Sequence, residues 1–403
     1  MSKTILIIAT FNNQFDFFSR LVNPLKQLGF KVVFLTNKYS IYKKILRKGY
    51  RVFKLRKGSS QREFDVSKVF ELVSGELSYK NSKELYSLVY SKIEKMYDKF
   101  NFDLIVTWGG VRLIEAAANK FADDKNVKKL CFELGNFPNK LFADPLGTNA
   151  NSILTLNKDL LLDFKVDEQK YDGWRKAYLE KSLVSHYVPQ SSSVGKIDIK
   201  KNLFNLIGYK FLRFAKNRPV LTLERIKNKL FQQVGKLNFD EVDLDNDKFM
   251  FYPMQVSDDA QLILNSEVDN LKALELASKE AKANGMELFV KPHPGEVKFE
   301  FIKKAESLKK ELNFKFIDGN TIEILMKAQK VFTINSTVGL QAMVLEKDLQ
   351  CFGRAFYKDF TQRHLKSYIT NYLFDINFWG NEKIEVSQVE TLLQRAELGI
   401  PQN

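Results

Sequence analysis

Short apolar runs alternate with stretches whose apolar positions recur three and four residues apart, and they do so in two separate parts of the chain. In the first part, "KTILIIAT" reads as a buried strand, "FFSRLVNPLKQLG" as a helix ended by Gly29, and "KVVFLT" as a second strand. "FDLIVTWGG", "RLIEAAANKFADD" and "KKLCFELG" repeat the strand–helix–strand order. The second part runs from "KFMFYPMQV" through the helix "EVDNLKALELASKEAKANG" to the strand "MELFVKPHP", then "FKFIDG", "KVFTINS" and "LQCFG" with helices between them. Such alternation predicts parallel sheets. Between the two series, residues 155–245 carry few strand signals, read as helical and close on the acidic "DEVDLDNDK". The expected organisation is an α/β chain: a Rossmann-like domain over 1–154, a helical basic region and linker over 155–245, a second Rossmann-like domain over 246–360, and a helical tail over 361–403. Two such domains facing across a cleft would bind ligands beyond the carboxyl ends of their strands.

The length of 403 residues suits two or three domains, and 44% hydrophobic residues with 34 Phe supply their cores. No apolar run approaches the ~20 residues that span a bilayer. "TILIIAT" lacks the length and cleavage site of a signal peptide and is expected to be a strand. Cys131 and Cys351 both sit in strand-like runs, which suits small buried side chains in a reducing compartment. Formal charge changes the picture more. It totals +15, and residues 196–236 hold eleven Lys and Arg against Asp198 and Glu224. Leu203, Phe204, Leu206, Ile207, Phe211, Leu212 and Phe214 interleave with those cations. A basic amphipathic segment of this kind fits an anionic bilayer, a polyanion, or an ordinary helix with a solvated face; the aromatics favour the bilayer.

Chemistry concentrates at expected strand ends. In "FVKPHPGE", Pro292 and Pro294 stiffen the loop that carries His293, which reads either as a strand end with a turn or as an aimed imidazole. In "TINSTVGLQA", Ser336 and Thr337 open a helix, as plain caps or as hydroxyls that join its free amides around a phosphate. Gly339 would allow close approach within the first turn. Together with Lys291 these groups describe an anion site. Asp258 and Asp259 in "MQVSDDAQ" and Glu133 in "CFELGNFP" are the acidic candidates; carboxylates on opposite walls serve glycosyl transfer, and acids at strand ends also serve as caps. There is no GxGxxG, no P-loop and no zinc spacing; "DLDND" lacks the Gly and Glu of a calcium loop and reads as solvated linker.

"FELGNFPNKLFADPLGTNANS", "MQVSDDAQ", "VKPHPGE" and "FTINSTVGLQAM", in that order, resemble the bacterial capsular polysaccharide β-Kdo glycosyltransferases, from about Arg112 to about Tyr357. The resemblance implies the GT-B architecture and transfer of Kdo, an acidic sugar, from CMP-Kdo without a metal. It aligns Glu133 with an acid/base glutamate and Asp259 with a nucleophile, the reaction being retaining through a glycosyl-Asp adduct. Gln255, His293, Ser336 and Thr337 fall with the donor-binding groups, while Arg112, Gly135 and Asn149 lie in matching stretches as acceptor or supporting positions. Where relatives have a second acid after the glutamate, this chain has Leu134.

The function expected is therefore transfer of Kdo from CMP-Kdo to a lipid-linked or saccharide acceptor in capsule synthesis. The protein would work in the cytoplasm, on the inner face of the membrane, held there through residues 196–236. No cofactor, metal or nucleic acid is expected as a partner. The competing readings are a transferase for another CMP-nonulosonate such as sialic acid or for an activated polyol phosphate, and a non-catalytic membrane- or polyanion-binding protein.

Overall fold

A computed structural model describes residues 3–58, 62–184, 199–213, 215–216, 237–296 and 299–398. The chain forms two compact units, each built on its own sheet. In the first, strands β1 (Thr4–Ile8), β2 (Lys31–Thr36), β3 (Arg51–Lys54), β4 (Leu104–Trp108), β5 (Lys128–Leu134) and β6 (Leu141–Asp144) lie in the order β3-β2-β1-β4-β5-β6. All pairs are parallel except β5–β6. β1 is buried throughout because helices cover both faces: Ile5 and Ile7 enter one apolar cluster with the helix Asn12–Gln27, Leu6 and Ile8 another with Tyr79–Phe100 and Leu113–Lys125.

The second unit has β7 (Phe249–Pro253), β8 (Glu287–Lys291), β9 (Phe314–Phe316), β10 (Lys330–Thr333) and β11 (Asp348–Cys351), all parallel, in the order β11-β10-β7-β8-β9. Both sheets thus start in the middle, grow to one side and then reverse. The reversal leaves a crevice at the carboxyl ends of β1 and β4 in one unit, and of β7 and β10 in the other. The two α/β halves and their parallel sheets are those the apolar runs predict.

The ends of the chain are shared out differently from the expected boundaries. Residues 154–184 belong to the second unit, where Tyr178 accepts a hydrogen bond from Gln341 (2.9 Å), Arg175 Nε donates to the carbonyl of Val344 (2.8 Å), and Trp174 stacks on Tyr178. The helix Ile199–Phe211 and the residues from Leu373 onward belong to the first. There Val389, Leu392 and Ala396 of the helix Val386–Leu398 join a sheet cluster, and the buried Arg395 donates to the carbonyl of Ala143 (3.1 Å) beside the Phe374 ring. The acidic linker is fastened as well: Asp240 accepts from the Phe316 amide (2.8 Å) and pairs with Lys309. Of the basic stretch 196–236, Lys196, Arg218, Arg225, Lys227, Lys229 and Lys236 lie outside the described residues. No helix among the described residues is long and apolar enough to cross a membrane.

Candidate functional site

The second unit's crevice is built by three loops. After β7 the chain runs through Gln255 to Asp259, after β8 through His293 to Glu296, and after β10 through Asn335 to Ser336. Polar side chains bind them together. The amide of Gln255 exchanges two hydrogen bonds with Asn335: its Nε2 donates to Asn335 Oδ1 (3.0 Å), and its Oε1 accepts from the Asn335 backbone (2.9 Å). Asn335 Nδ2 donates in turn to the carbonyl of Gln261 (2.9 Å). Glu296 closes the third side, its carboxylate accepting from the Ser257 amide at 2.7 Å. Expected as a donor-binding residue, Gln255 is a brace: it is 6% exposed and its side chain holds the loops after β7 and β10 in register.

His293 gains its aim from this frame. The Gly295 amide donates to His293 Nδ1 at 2.9 Å, and a backbone N–H can only donate, so Nδ1 carries no proton. The neutral ring therefore bears its hydrogen on Nε2. Burial lowers the imidazole's pKa; Glu296 opposes that and Lys291 adds to it, so the neutral donor form prevails at neutral pH. Gly295 makes room: a Cβ there would sit 3.1 Å from Nδ1.

Ser336 is the N-cap of the helix Thr337–Val344, its Oγ accepting from the Val338 amide (3.1 Å). Thr337 is that helix's first residue. Gly339, read from sequence as an opening for a ligand, is instead an opening for Tyr357: a Cβ would lie 2.5 Å from its ring, and the Tyr357 hydroxyl donates to the Ser336 carbonyl. Lys291 also departs from expectation. Its ammonium donates to the Gly319 carbonyl and to Thr321 Oγ1 (3.3 Å) and lies 3.8 Å from Asp318, so it serves the loop after β9. Asp259 caps the helix Ala260–Asn265 through a 2.7 Å bond from the Gln261 amide. Its pKa is raised, by burial first; the Gln261 amide pulls it down and the neighbouring Asp258 pushes it up.

In the first unit, Glu133 stands at the carboxyl end of β5, opposite Phe142 of β6, and accepts from the Leu134 amide (2.9 Å). Gly109, at φ +73°, approaches it closely: a Cβ there would be 3.5 Å from Glu133 Oε2. Gly135 closes the β5–β6 turn, donating to the Lys140 carbonyl (3.0 Å); a Cβ would come within 2.6 Å of that backbone, so the turn itself requires glycine. Arg112 caps the helix Leu113–Lys125 over the Phe70 ring, 3.6 Å from the fully buried Glu71. Asn149 sits at φ +53°, where Asn is tolerated, at the start of a short 3-10 turn.

The residue missed by sequence reasoning is Asp144. Wholly buried at the end of β6, it accepts from the amides of Leu146 (2.8 Å), Gly147 (3.0 Å) and Ile153 (3.1 Å) and from the Ser152 hydroxyl. "DPLGTNANS" is thus a loop wound around one carboxylate, and Thr148 pins it to the Gly109 carbonyl (2.8 Å). The signal was there as an Asp followed by Gly, Asn and Ser, a composition that favours side-chain-to-backbone capture.

Two Rossmann-like sheets, one with a braced imidazole and a capped helix start at its strand ends, define a protein of the two-domain α/β class. Residues 103–364, well over half of the chain, match the family described as capsule polysaccharide biosynthesis protein, and the chain belongs to that family. Among curated proteins, Protein FixF of Sinorhizobium fredii (strain NBRC 101917 / NGR234) is 36% identical over 129 residues, and the match spans 30% of each chain. Among solved structures, the Thermosulfurimonas dismutans KpsC beta Kdo 2,7 transferase aligns over 98% of this chain and 100% of its own, at 14% identity and a TM-score of 0.46. The KpsC beta Kdo 2,4 transferase of the same organism aligns over 72% and 87%, at 17% identity and a TM-score of 0.41.

Proposed function

We propose that this chain is a GT-B glycosyltransferase of capsule synthesis that moves Kdo from CMP-Kdo to a lipid-linked or saccharide acceptor at the cytoplasmic face of an anionic membrane. The observation that carries the reading is the His293 ring, fixed by Gly295 as a neutral Nε2–H donor at the crevice of the second unit. A neutral donor supports a phosphate as negative charge develops on departing CMP, and the amides at the start of Thr337–Val344 add to it. In the proposed reaction the Asp259 carboxylate attacks the anomeric carbon while the bond to the CMP phosphate breaks, CMP leaving with the electron pair. Glu133 then takes the proton of an acceptor hydroxyl, whose oxygen displaces Asp259. Two inversions give net retention.

Titration calorimetry with CMP tests this. His293→Ala removes a hydrogen bond to a charged group, worth roughly 1.5–3 kcal/mol, so affinity should fall by about ten- to a hundredfold. Ser336→Ala should cost less, because the helix amides remain. Unchanged CMP affinity in His293→Ala, or no CMP binding by the wild type, would refute the assignment.

A further inference from the structure

The helix Ile199–Phe211 is amphipathic in the wrong sense for a helix that only covers a core. Its more buried positions mix polar, small and apolar residues: Asn205 Oδ1 accepts from the Ser40 amide (3.0 Å) at the start of the helix Tyr39–Arg47, Gly208 is buried, and Leu206 and Tyr209 are half-buried. Its outward positions are apolar. Phe204, Ile207 and Phe211, spaced to share one face, are 45%, 37% and 75% exposed, and Leu46 on the neighbouring helix is 50% exposed. The helix end is fastened to the sheet edge, since Lys57 donates to the Arg213 carbonyl (2.7 Å) and Ala215 to the Leu55 carbonyl (2.9 Å). The apolar face is therefore held in place on the first unit.

Charge says what fits it. Residues 38–58 and 199–216 together hold fourteen Lys and Arg and no Asp or Glu. Arg47, Lys48, Arg56, Lys57, Lys210 and Arg213 among them are exposed. A rim dominated by cations, in which Asp16 pairs with Lys44 as the acid beside them, surrounds exposed Phe and Ile and matches a surface that offers anionic headgroups above acyl chains. A polyanion without an apolar layer, such as polyphosphate, would leave the Phe face uncovered.

We propose that the Ile199–Phe211 helix, flanked by Tyr39–Arg47 and the edge of β3, is the element that docks this protein on an anionic phospholipid bilayer, with Phe204, Ile207 and Phe211 entering the headgroup–acyl boundary. The inference rests on the membrane contact proposed above but not on the transfer reaction. It narrows attachment along the whole of 196–236 to a short apolar anchor and its basic rim.

The test is co-sedimentation of the full chain with phosphatidylcholine vesicles with and without phosphatidylglycerol. The protein should bind only the anionic vesicles, and salt should weaken that binding. A Phe204→Ser/Phe211→Ser variant, unchanged in charge and altered only at exposed positions, should bind them at least about tenfold less. An Arg47→Glu/Lys210→Glu variant should also release. Both variants should bind CMP like the wild type, which separates a failure here from a failure of the transferase reading. Wild-type vesicle affinity in the Phe variant would overturn the proposal, as would binding to neither vesicle by a wild type that forms dimers through this face.

Discussion

Glu115→Gln should flatten the pH dependence of the first unit's stability. Glu115 lies in the first turn after Arg112, 1% exposed, with its pKa raised to about 7. Burial is the main cause; Glu71 adds to it, while Thr10 and Arg112 oppose it. Thr10 Oγ1 donates to Glu115 Oε1 at 2.7 Å, while Gln14 Oε1 accepts from the amides of Thr10 and Phe11 (both 3.1 Å). When Glu115 is protonated the direction can reverse, the acid donating to the Thr10 hydroxyl. A folded-state pKa above the unfolded value of 4.5 means that the folded chain holds a proton the unfolded chain has released. The stability so contributed is complete below about pH 4.5 and is lost as pH rises through 7. At 1.36 kcal/mol per unit the swing is roughly 3 kcal/mol. Gln cannot titrate, and its Nε2–H can donate to Thr10 as the acid does. Relative to wild type, the variant should therefore gain stability between pH 5 and pH 8 by roughly that amount. Two units need not unfold together, so the readout is hydrogen exchange of β1 and β4 amides across the pH range. Parallel profiles for variant and wild type would refute the reasoning.

Two further substitutions separate bracing from binding. Gly339→Ala should destabilise the second unit by about 1–3 kcal/mol in urea melts, because Tyr357 must move; an unchanged midpoint would show that the ring yields freely. Lys291→Met should lower stability but leave CMP affinity within about twofold, since its ammonium is committed to Gly319, Thr321 and Asp318; a loss like that of His293→Ala would return Lys291 to the donor site.

What could be read from the sequence follows from burial. β1, β4, β7, β8 and β10 are covered on both faces and so read as apolar runs. β3 is an edge strand with exposed Arg51, and β6 is short and lies inside a loop motif; neither leaves such a run. His293 and Ser336 stood out because proline restriction and helix capping are local. The roles of Asn335 and Glu296 did not, since their partners Gln255 and Ser257 are 80 and 39 residues away. For the same reason the contact of Gly339 with Tyr357 and those of Lys291 with the loop after β9 were not legible. The tail 361–403 was expected to be helical, but the sheet that its helix Val386–Leu398 covers was not legible.

The central claim, transfer through a sugar adduct on Asp259, is tested most directly by intact mass after incubation with CMP-Kdo and no acceptor. Glu133→Gln should accumulate protein carrying one Kdo, and Asp259→Ala should carry none while still binding CMP. An adduct that survives in Asp259→Ala, or CMP-Kdo left uncleaved by wild type and Glu133→Gln alike, would contradict the account.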